Sequence, residues 1–465
     1  FFTESGLELV IKRIHQLSEE DLERQSWIIQ ASFTSMILGT DQATHKTLHL
    51  QPSKNGVTQE RLLTAAQHVG DRLSKLALTT SETAAWLGVN AVKEREWQLT
   101  VAEEDLYSGA SGIVLFLAYL GTITGKEQYT TLAHLALTTT RHFIAQKKQF
   151  SQFNGIGTFS GMGSAIYLLS HLGTLWHEPA LYAEAEEIVK LLPAVIAREK
   201  IFDVVGGSAG CIAALCSLYA VAPSDTILTC AALCGDHLLA CAQPMEKGIG
   251  WSIKDGDPPL AGFSHGAAGI ALNLLRLFKL TQEQRFQQGA RAAIDYERSL
   301  FSPKAQNWPD LRPVSNSAQP SQQYMTAWCH GAAGIGLARL GGLEILDTPE
   351  IRQEINIAIQ TTLRDGFGLN HSLCHGDLGN LDVLLVAAHA LNKPEYTQAA
   401  NRLSAMLLDS IDRQGWVTGV PLGIETPGLM VGLSGIGYEL LRLAAPEQVP
   451  SVLLGDAPMH HNQKG

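Results

Sequence analysis

The chain has 465 residues, of which 45% are hydrophobic and 17% are charged, and its net charge is −11 at pH 7. Such a composition is typical of a globular protein with a large core, divided into one large domain or two to three ordinary ones. The negative charge argues against nucleic-acid binding, which needs a basic face. The N-terminus lacks the pattern of a signal peptide, and no apolar run reaches the roughly 18 residues of a membrane span.

The cysteine content indicates a reducing compartment, so we predict a cytoplasmic protein. There are seven cysteines, an odd number for a disulfide framework. Five of them lie in an apolar stretch, where buried thiols are the simplest interpretation and a second metal site is disfavoured because no histidine lies in register: Cys211, Cys216, Cys230, Cys234 and Cys241. The first residue is Phe1 rather than Met, which suggests the C-terminal portion of a longer protein.

Residues 1–90 predict a helical lead-in segment with a linker, separate from the remainder of the chain. Ser18 precedes three acidic residues, as at the start of a helix. Residues 41–57 are polar and rich in turn-forming residues, which predicts the linker, and a further helix is predicted over residues 59–77.

From about residue 100 the chain repeats Gly-x-x-Gly, once Gly-x-x-Ser, followed each time by an apolar helical run. The seven copies begin at Gly109, Gly161, Gly207, Gly266, Gly331, Gly376 and Gly432. Their spacing varies while the motif persists, which indicates a repeated scaffold with variable loops. Amphipathic helices lie between the copies, for example after Thr348-Pro349, a capping residue followed by proline in the first turn.

These pairs of helices predict an all-α fold, an (α/α)7 barrel of inner and outer helices with the glycine-rich loops at one end. An open solenoid of helix pairs is the competing arrangement. Closure is favoured because metal-binding side chains accumulate at one loop position, and only closure brings distant repeats to one centre. The predicted domain spans residues 91–450, followed by a C-terminal tail over 451–465.

The residues directly before two of the repeated glycines predict a metal site. Cys329-His330 precedes Gly331, and Cys374-His375 precedes Gly376. Cys329, Cys374 and His375 supply the three protein ligands that a catalytic zinc ion takes while its fourth position stays open. Two alternatives stay open: a closed structural zinc site with His330 or a distant residue as fourth ligand, or buried thiols beside hydrogen-bonded histidines.

Two further polar residues occupy related loop positions. His265 precedes Gly266 in the preceding repeat and is a candidate general acid or base near the metal. Asp203 lies four residues before Gly207 and can orient His265 or a substrate amide, or cap a turn. Trp328 either packs in the core or shapes the wall of the pocket.

At these residues the sequence resembles a known family. WCHGAAGIG, SLCHGDLGN, SHGAAGI and GLMVGLSGIGYELLRL are similar to motifs of the LanC-like lanthionine cyclases, over residues 90–445. DLYSG and LSEEDLERQ resemble the C-terminal cyclase region of class II lanthipeptide synthetases (LanM), and residues 1–90 resemble the tail of their dehydratase region. The resemblance implies a bacterial enzyme that uses Zn²⁺ to add a cysteine of a dehydrated precursor peptide to dehydroalanine or dehydrobutyrine, with the dehydratase domain of the same chain as a partner.

The resemblance also implies roles for individual residues. It implies that Cys329, Cys374 and His375 hold the zinc, that His265 handles protons, that Asp203 is an active-site carboxylate and that Trp328 is a pocket tryptophan. We place His330 in the substrate pocket as well; the family carries tyrosine or histidine at this position, so the resemblance leaves its role open. Some family members carry an arginine shortly before the tryptophan, where this chain has Met325, Thr326 and Ala327.

Other functions are compatible with the same residues. One is an enzyme that adds a free thiol such as glutathione to dehydroamino acids, or another zinc thiol alkyltransferase of the prenyltransferase kind. A zinc-stabilised peptide-binding module is the non-enzymatic alternative. A carbohydrate-processing barrel ranks last, because it needs paired carboxylates at its mouth and Asp203 stands alone.

Overall fold

The computed structural model describes residues 5–38, 46–93, 96–150, 153, 155–253, 256–312 and 323–459. Its helices are α1 (Gly6–His15), α2 (Glu19–Leu38), α3 (Gln59–Leu76), α4 (Ala110–Thr124), α5 (Glu127–Phe150), α6 (Met162–Leu175), α7 (Pro179–Val189), α8 (Pro193–Ile196), α9 (Ser208–Val221), α10 (Asp225–Cys241), α11 (Ala267–Thr281), α12 (Gln284–Ser299), α13 (Ala332–Gly342), α14 (Pro349–Asp365), α15 (Asp377–Leu391), α16 (Pro394–Gln414) and α17 (Leu433–Ala444), with a short 3-10 helix at Pro421–Gly423. Antiparallel pairs are formed by β1 (Leu78–Thr79) with β2 (Ala84–Ala85), β3 (Leu87–Lys93) with β4 (Glu96–Val101), and β5 (Gln243–Pro244) with β6 (Ile249–Gly250). No helix in these ranges is long and apolar enough to cross a membrane.

Seven inner helices of the described chain form a closed ring. Each packs against the next in the order α4, α6, α9, α11, α13, α15, α17, and α17 packs against α4. These helices are apolar nearly all round because they are covered on all sides; in α4 every residue from Ala110 to Gly121 is buried. The predicted (α/α)7 barrel is therefore confirmed, and the contact between the last and first inner helices excludes an open solenoid.

Outer helices cover the ring, one against each inner helix. The first six pairs are α4 with α5, α6 with α7, α9 with α10, α11 with α12, α13 with α14, and α15 with α16. The seventh outer helix is α3, which packs against α17 through buried residues at helical spacing, including Leu62, Ala66, Val69 and Leu73. The segment before residue 90 thus supplies one outer helix of the barrel.

The glycine motif is explained by a tight approach of the loop to the start of each inner helix. At Gly334 an added Cβ would lie 2.0 Å from the carbonyl oxygen of Trp328, six residues earlier. The same clash with a carbonyl six residues earlier recurs at Gly112, Gly210, Gly269, Gly379 and Gly435. In the second repeat Ser164 takes this place and donates its hydroxyl to the Thr158 carbonyl at 2.9 Å. The motif therefore fixes where each loop lies above its helix.

The C-terminal segment is buried against the inner helices. Residues 451–455, which the sequence places in the tail, are all buried. Tyr438 donates its hydroxyl to the Pro450 carbonyl at 3.0 Å, and Tyr167 donates to the Asp456 carbonyl at 2.9 Å. These contacts hold the segment inside the ring.

The first two helices lie outside the barrel and expose an apolar surface. None of the ten residues of α1 is buried, and Leu7, Val10 and Ile14 are each more than half exposed. Helix α2 buries Trp27, whose indole donates to the Glu425 carbonyl, but exposes Leu22, Ile29, Phe33 and Met36. We call this surface, formed by the exposed apolar residues named here, the α1–α2 apolar face.

Candidate active site

Loop residues from all seven repeats belong to a closed ring of hydrogen bonds above the N-termini of the inner helices, one from each repeat except the third, which contributes both Val204 and Val205. Its links, within the described residues, join Tyr107 to Phe159, Phe159 to Val205, Val204 to Ser264, Ser264 to Cys329, Cys329 to Cys374, Cys374 to Met430, and Met430 to Tyr107. All links are backbone N–H to carbonyl contacts except one, in which the Ser264 hydroxyl donates to the Cys329 carbonyl. Because the ring uses the backbone, the side chains at these positions remain available for chemistry.

Cys329, Cys374 and His375 meet on one side of this ring. They are the one group in the described part of the chain that offers three close metal ligands, and their ligand atoms lie within 4.8 Å of one another. Both cysteines are buried, and His375 is half-buried. His375 donates from Nε2 to the Gly419 carbonyl at 2.9 Å, so its lone pair is on Nδ1, which would be the atom offered to a metal. Two sulfurs and an oriented imidazole are a donor set that fits zinc.

The two sulfurs differ in their hydrogen bonding. Cys374 Sγ accepts from the Tyr107 hydroxyl at 3.1 Å. A hydrogen bond from Cys329, together with the one from Tyr107, lowers the pKa of Cys374 against the opposing effect of burial. The hydrogen bond to Cys374, followed by burial, raises the pKa of Cys329 well above its ordinary value. Without a metal, the pair therefore favours one thiolate, on Cys374.

His265 and Asp203 form a hydrogen-bonded pair near Cys329. The Nδ1 atom of His265 lies 2.6 Å from Oδ2 of Asp203, which is almost fully buried. The other carboxylate oxygen accepts from the Gly206 N–H at 2.8 Å. Burial lowers the pKa of His265, but the hydrogen bond and charge of Asp203 outweigh burial and raise it. Asp203 therefore orients the histidine and caps a turn at once.

Trp328 and His330, the two residues expected in the pocket, are more deeply buried than His265. Trp328 is fully buried; its ring packs against Phe159 and Phe263, and its indole N–H donates to the Leu453 carbonyl at 3.1 Å. The tryptophan thus belongs to the core beneath the loop. His330 is 1% exposed, with its ring centroid 6.1 Å from that of His265.

The environment of His330 keeps its imidazole neutral and separate from the ligand group. Burial, followed by the charge of Arg312, lowers the pKa of His330 to about 3. Its Nδ1 atom is 3.8 Å from a carboxylate oxygen of Asp310. Among the described residues, the group of potential metal ligands consists of Cys329, Cys374 and His375 and does not include His330. This geometry does not support His330 as a fourth ligand.

Arg312 is a site residue that was not predicted from the sequence. Its guanidinium pairs with Asp310 at 2.6 Å and contacts the sulfur of Met325 at 3.3 Å. Its positive charge favours the thiolate form of both cysteines: it adds to the lowered pKa of Cys374, and it opposes, without reversing, the raised pKa of Cys329. An arginine from the preceding loop therefore lies beside Met325, in the stretch before Trp328. The spacing of 65 residues between Gly266 and Gly331, the longest between successive copies of the motif, was the available signal.

The remaining five cysteines lie outside this ligand group. All seven cysteines lie within the described ranges and are free thiols. In those ranges the only group with three close metal ligands contains none of Cys211, Cys216, Cys230, Cys234 and Cys241. Three of these five are buried and two are half-buried, in agreement with the expectation of thiols packed in an apolar stretch.

Comparisons with known proteins agree with this geometry. The family model described as lanthionine synthetase C-like protein matches residues 100–454. The lacticin 481/lactococcin biosynthesis protein LcnDR2 of Lactococcus lactis subsp. lactis is 24% identical over 460 residues, which cover 93% of this chain and 46% of that protein. The chain thus spans about half the length of this relative. Nisin cyclase has the same fold, with a TM-score of 0.57 at 18% identity over 76% of this chain and 92% of that chain.

Proposed function

Because the chain belongs to the lanthionine synthetase C-like family, we propose that it is a cyclase that closes thioether rings in a dehydrated precursor peptide. In this reaction a cysteine sulfur of the peptide bonds to the β-carbon of dehydroalanine or dehydrobutyrine. The alkene electron pair moves toward the carbonyl as an enolate, and a proton added at the α-carbon completes lanthionine or methyllanthionine. The observation that carries the proposal is the convergence of Cys329, Cys374 and His375 beside His265 on one ring of loops.

The chemistry requires a thiolate at neutral pH, and the three ligands support zinc as its source. An unperturbed cysteine has a pKa of about 8.5 and is mostly protonated at pH 7. A zinc ion held by Cys329, Cys374 and His375 would stabilise the peptide thiolate at neutral pH. The burial of both cysteines and the orientation of His375 by the Gly419 carbonyl support this ligand set.

The residues around the ligands have separate proposed roles. Asp203 orients His265 and raises its pKa, and His265 is the acid that protonates the enolate at its α-carbon. Arg312 supplies positive charge near the oxygen on which negative charge develops. His330, neutral and buried, contributes to the inner wall of the substrate pocket, and Trp328 supports that wall from the core side.

The α1–α2 apolar face supports a second part of the proposal, a partner domain. A helix such as α1, with no buried residue and an apolar stripe, gains stability only when another surface covers it. We propose that the dehydratase region of a longer polypeptide covers this face and that the precursor peptide is its shared substrate. We place the reaction in the bacterial cytoplasm, where free cysteines stay reduced.

Metal analysis tests the proposed function first. Purified wild-type protein is expected to hold about one zinc ion per chain, and Cys329→Ala is expected to lose it. Cys216→Ala, which changes a half-buried cysteine outside the ligand group, is the matched control and keeps its zinc. A wild type without zinc, or zinc retained in Cys329→Ala, contradicts the ligand assignment.

A dehydrated precursor peptide then tests the reaction. Mass spectrometry after thiol alkylation is expected to show that the wild type consumes peptide thiols, whereas Cys374→Ala leaves them available for alkylation. If peptide thiols persist while added glutathione is incorporated instead, the enzyme adds free thiols. A chelator distinguishes the non-enzymatic alternative: helicity is expected to survive zinc removal, because the core consists mainly of apolar side chains from the packed helices.

A further inference from the structure

The phenol of Tyr107 contacts one of the two ligand sulfurs. Its hydroxyl lies 3.1 Å from Cys374 Sγ and donates to it. The backbone of Tyr107 is held on both sides, since its N–H donates to the Phe159 carbonyl at 2.9 Å and its carbonyl accepts from Met430 at 2.8 Å. A phenol has an ordinary pKa of about 10 and is neutral at pH 7. The phenol therefore remains a neutral donor in a fixed position.

Tyr107 occupies the ring position at which the fifth and sixth repeats carry their cysteines. It lies two places from Cys374 along the ring, with Met430 between them. A tyrosine is long enough to reach across one intervening loop, and its polar end then meets the sulfur. The hydrogen bond is thus a product of the repeat geometry and of the residue type at this position.

The proposed reaction creates a problem that this contact addresses. The substrate alkene reaches a site that already contains sulfur nucleophiles of the protein. If Cys374 attacked, its sulfur would bond to the β-carbon, the alkene pair would move to the α-carbon, and a proton from water would complete the adduct. No oxidant or reductant is required, and the product is an enzyme with a permanently alkylated ligand. A thiolate that accepts a hydrogen bond is a weaker nucleophile, because the donor stabilises the electron pair that must attack.

We infer that Tyr107 is a positioning residue that suppresses the nucleophilicity of Cys374, so that the peptide sulfur attacks and the ligand survives. This inference rests on the proposed function and adds to it a source of selectivity between two sulfurs. A hydrogen bond to a charged acceptor changes an equilibrium or a rate by about tenfold to a hundredfold. Loss of the hydroxyl is therefore expected to speed alkylation of Cys374 by about tenfold or more.

Tyr107→Phe tests the inference because it removes the hydroxyl and keeps the ring. The probe is acrylamide, an unsaturated amide that resembles a dehydroalanine residue, applied to the zinc-loaded full chain. Peptide mapping by mass spectrometry gives the alkylation of Cys374 relative to that of Cys329 in the same molecule. This ratio is expected to rise about tenfold in the variant, while zinc affinity measured by chelator competition stays within about threefold of the wild type.

Tyr438→Phe is the matched control, because it also removes a buried hydroxyl with one hydrogen bond, to the Pro450 carbonyl, inside the same barrel. It is expected to leave the ratio unchanged. The inference is overturned if Tyr107→Phe leaves the ratio of Cys374 to Cys329 alkylation unchanged. It is also overturned if Tyr438→Phe raises this ratio equally, or if Tyr107→Phe loses its zinc. A wild type that holds no zinc refutes the proposed function instead, and the metal analysis detects this before any alkylation is measured.

Discussion

Replacing Asp203 by Asn tests whether this carboxylate keeps His265 protonated. The amide has nearly the same shape, and its oxygen can still accept from the Gly206 N–H. The substitution removes the negative charge that lies 2.6 Å from His265 Nδ1. Because that charge raises the pKa of His265, its loss lowers the pKa and favours the neutral imidazole.

The size of the effect follows from the strength of the lost interaction. A hydrogen bond between charged groups contributes about 1.5–3 kcal/mol, which corresponds to about one to two pKa units. The side chain of His265 is 36% exposed, so solvent screening favours the lower end of this range. We therefore expect the pKa of His265 to fall by about one unit. An acid acts only while protonated, so cyclisation should decline with rising pH about one unit earlier in the variant.

The assay is the pH profile of single-turnover cyclisation, accompanied by an NMR titration of the His265 ring. Asp236→Asn serves as the control, because Asp236 pairs with Arg285 on the surface, away from the site. The reasoning is refuted if the alkaline limb of the Asp203→Asn profile coincides with that of the wild type. If the pKa of His265 measured by NMR falls but the pH profile does not shift, Asp203 still pairs with His265, but His265 is not the acid of the rate-limiting protonation.

Gly419→Ala is expected to weaken zinc binding at least about tenfold, because an added methyl carbon would lie 2.9 Å from His375 Nε2. Chelator competition measures the zinc affinity. Gly56→Ala is the control, because no atom lies within 4 Å of its added methyl carbon. Equal zinc affinity in the two variants would contradict the prediction. Leu453→Ala is expected to lower the free energy of unfolding by about 2–5 kcal/mol, because a fully buried side chain is truncated. Denaturant unfolding measures this free energy. If Leu453→Ala has the same free energy of unfolding as the wild type, the C-terminal segment contributes little to the core.

The repeated glycines were sufficient to predict the barrel because their cause is local. Each loop folds back on the helix that comes after it, so the requirement for glycine appears wherever the unit appears, as at Gly334. The outer helix α3 was not predictable as part of the barrel for the opposite reason. An amphipathic stripe such as that of α3 shows that a helix is covered on one face, but it does not indicate which distant helix covers it.

The site was predictable to the extent that its residues hold a position in the repeat. Cys329, Cys374 and His375 lie at or beside the ring position, and the structure brings them together. Arg312 reaches the site from a variable loop, whose path has no periodicity. Trp328 shows a further limit, since a residue next to a ligand in sequence can point into the core.

Ring closure has a consequence for the chemistry as well as for the fold. The hydrogen bonds of the ring join backbone atoms in nearly every link, so the side chain at each position can differ without loss of the link. The cysteines of the fifth and sixth repeats meet because these repeats are adjacent. Tyr107 comes from the first repeat and reaches Cys374 only across the seam where the seventh loop, at Met430, bonds to the first. In an open stack of the same repeats the two residues would lie at opposite ends. The closed barrel is therefore required for the hydrogen bond that distinguishes the sulfur of Cys374 from that of Cys329.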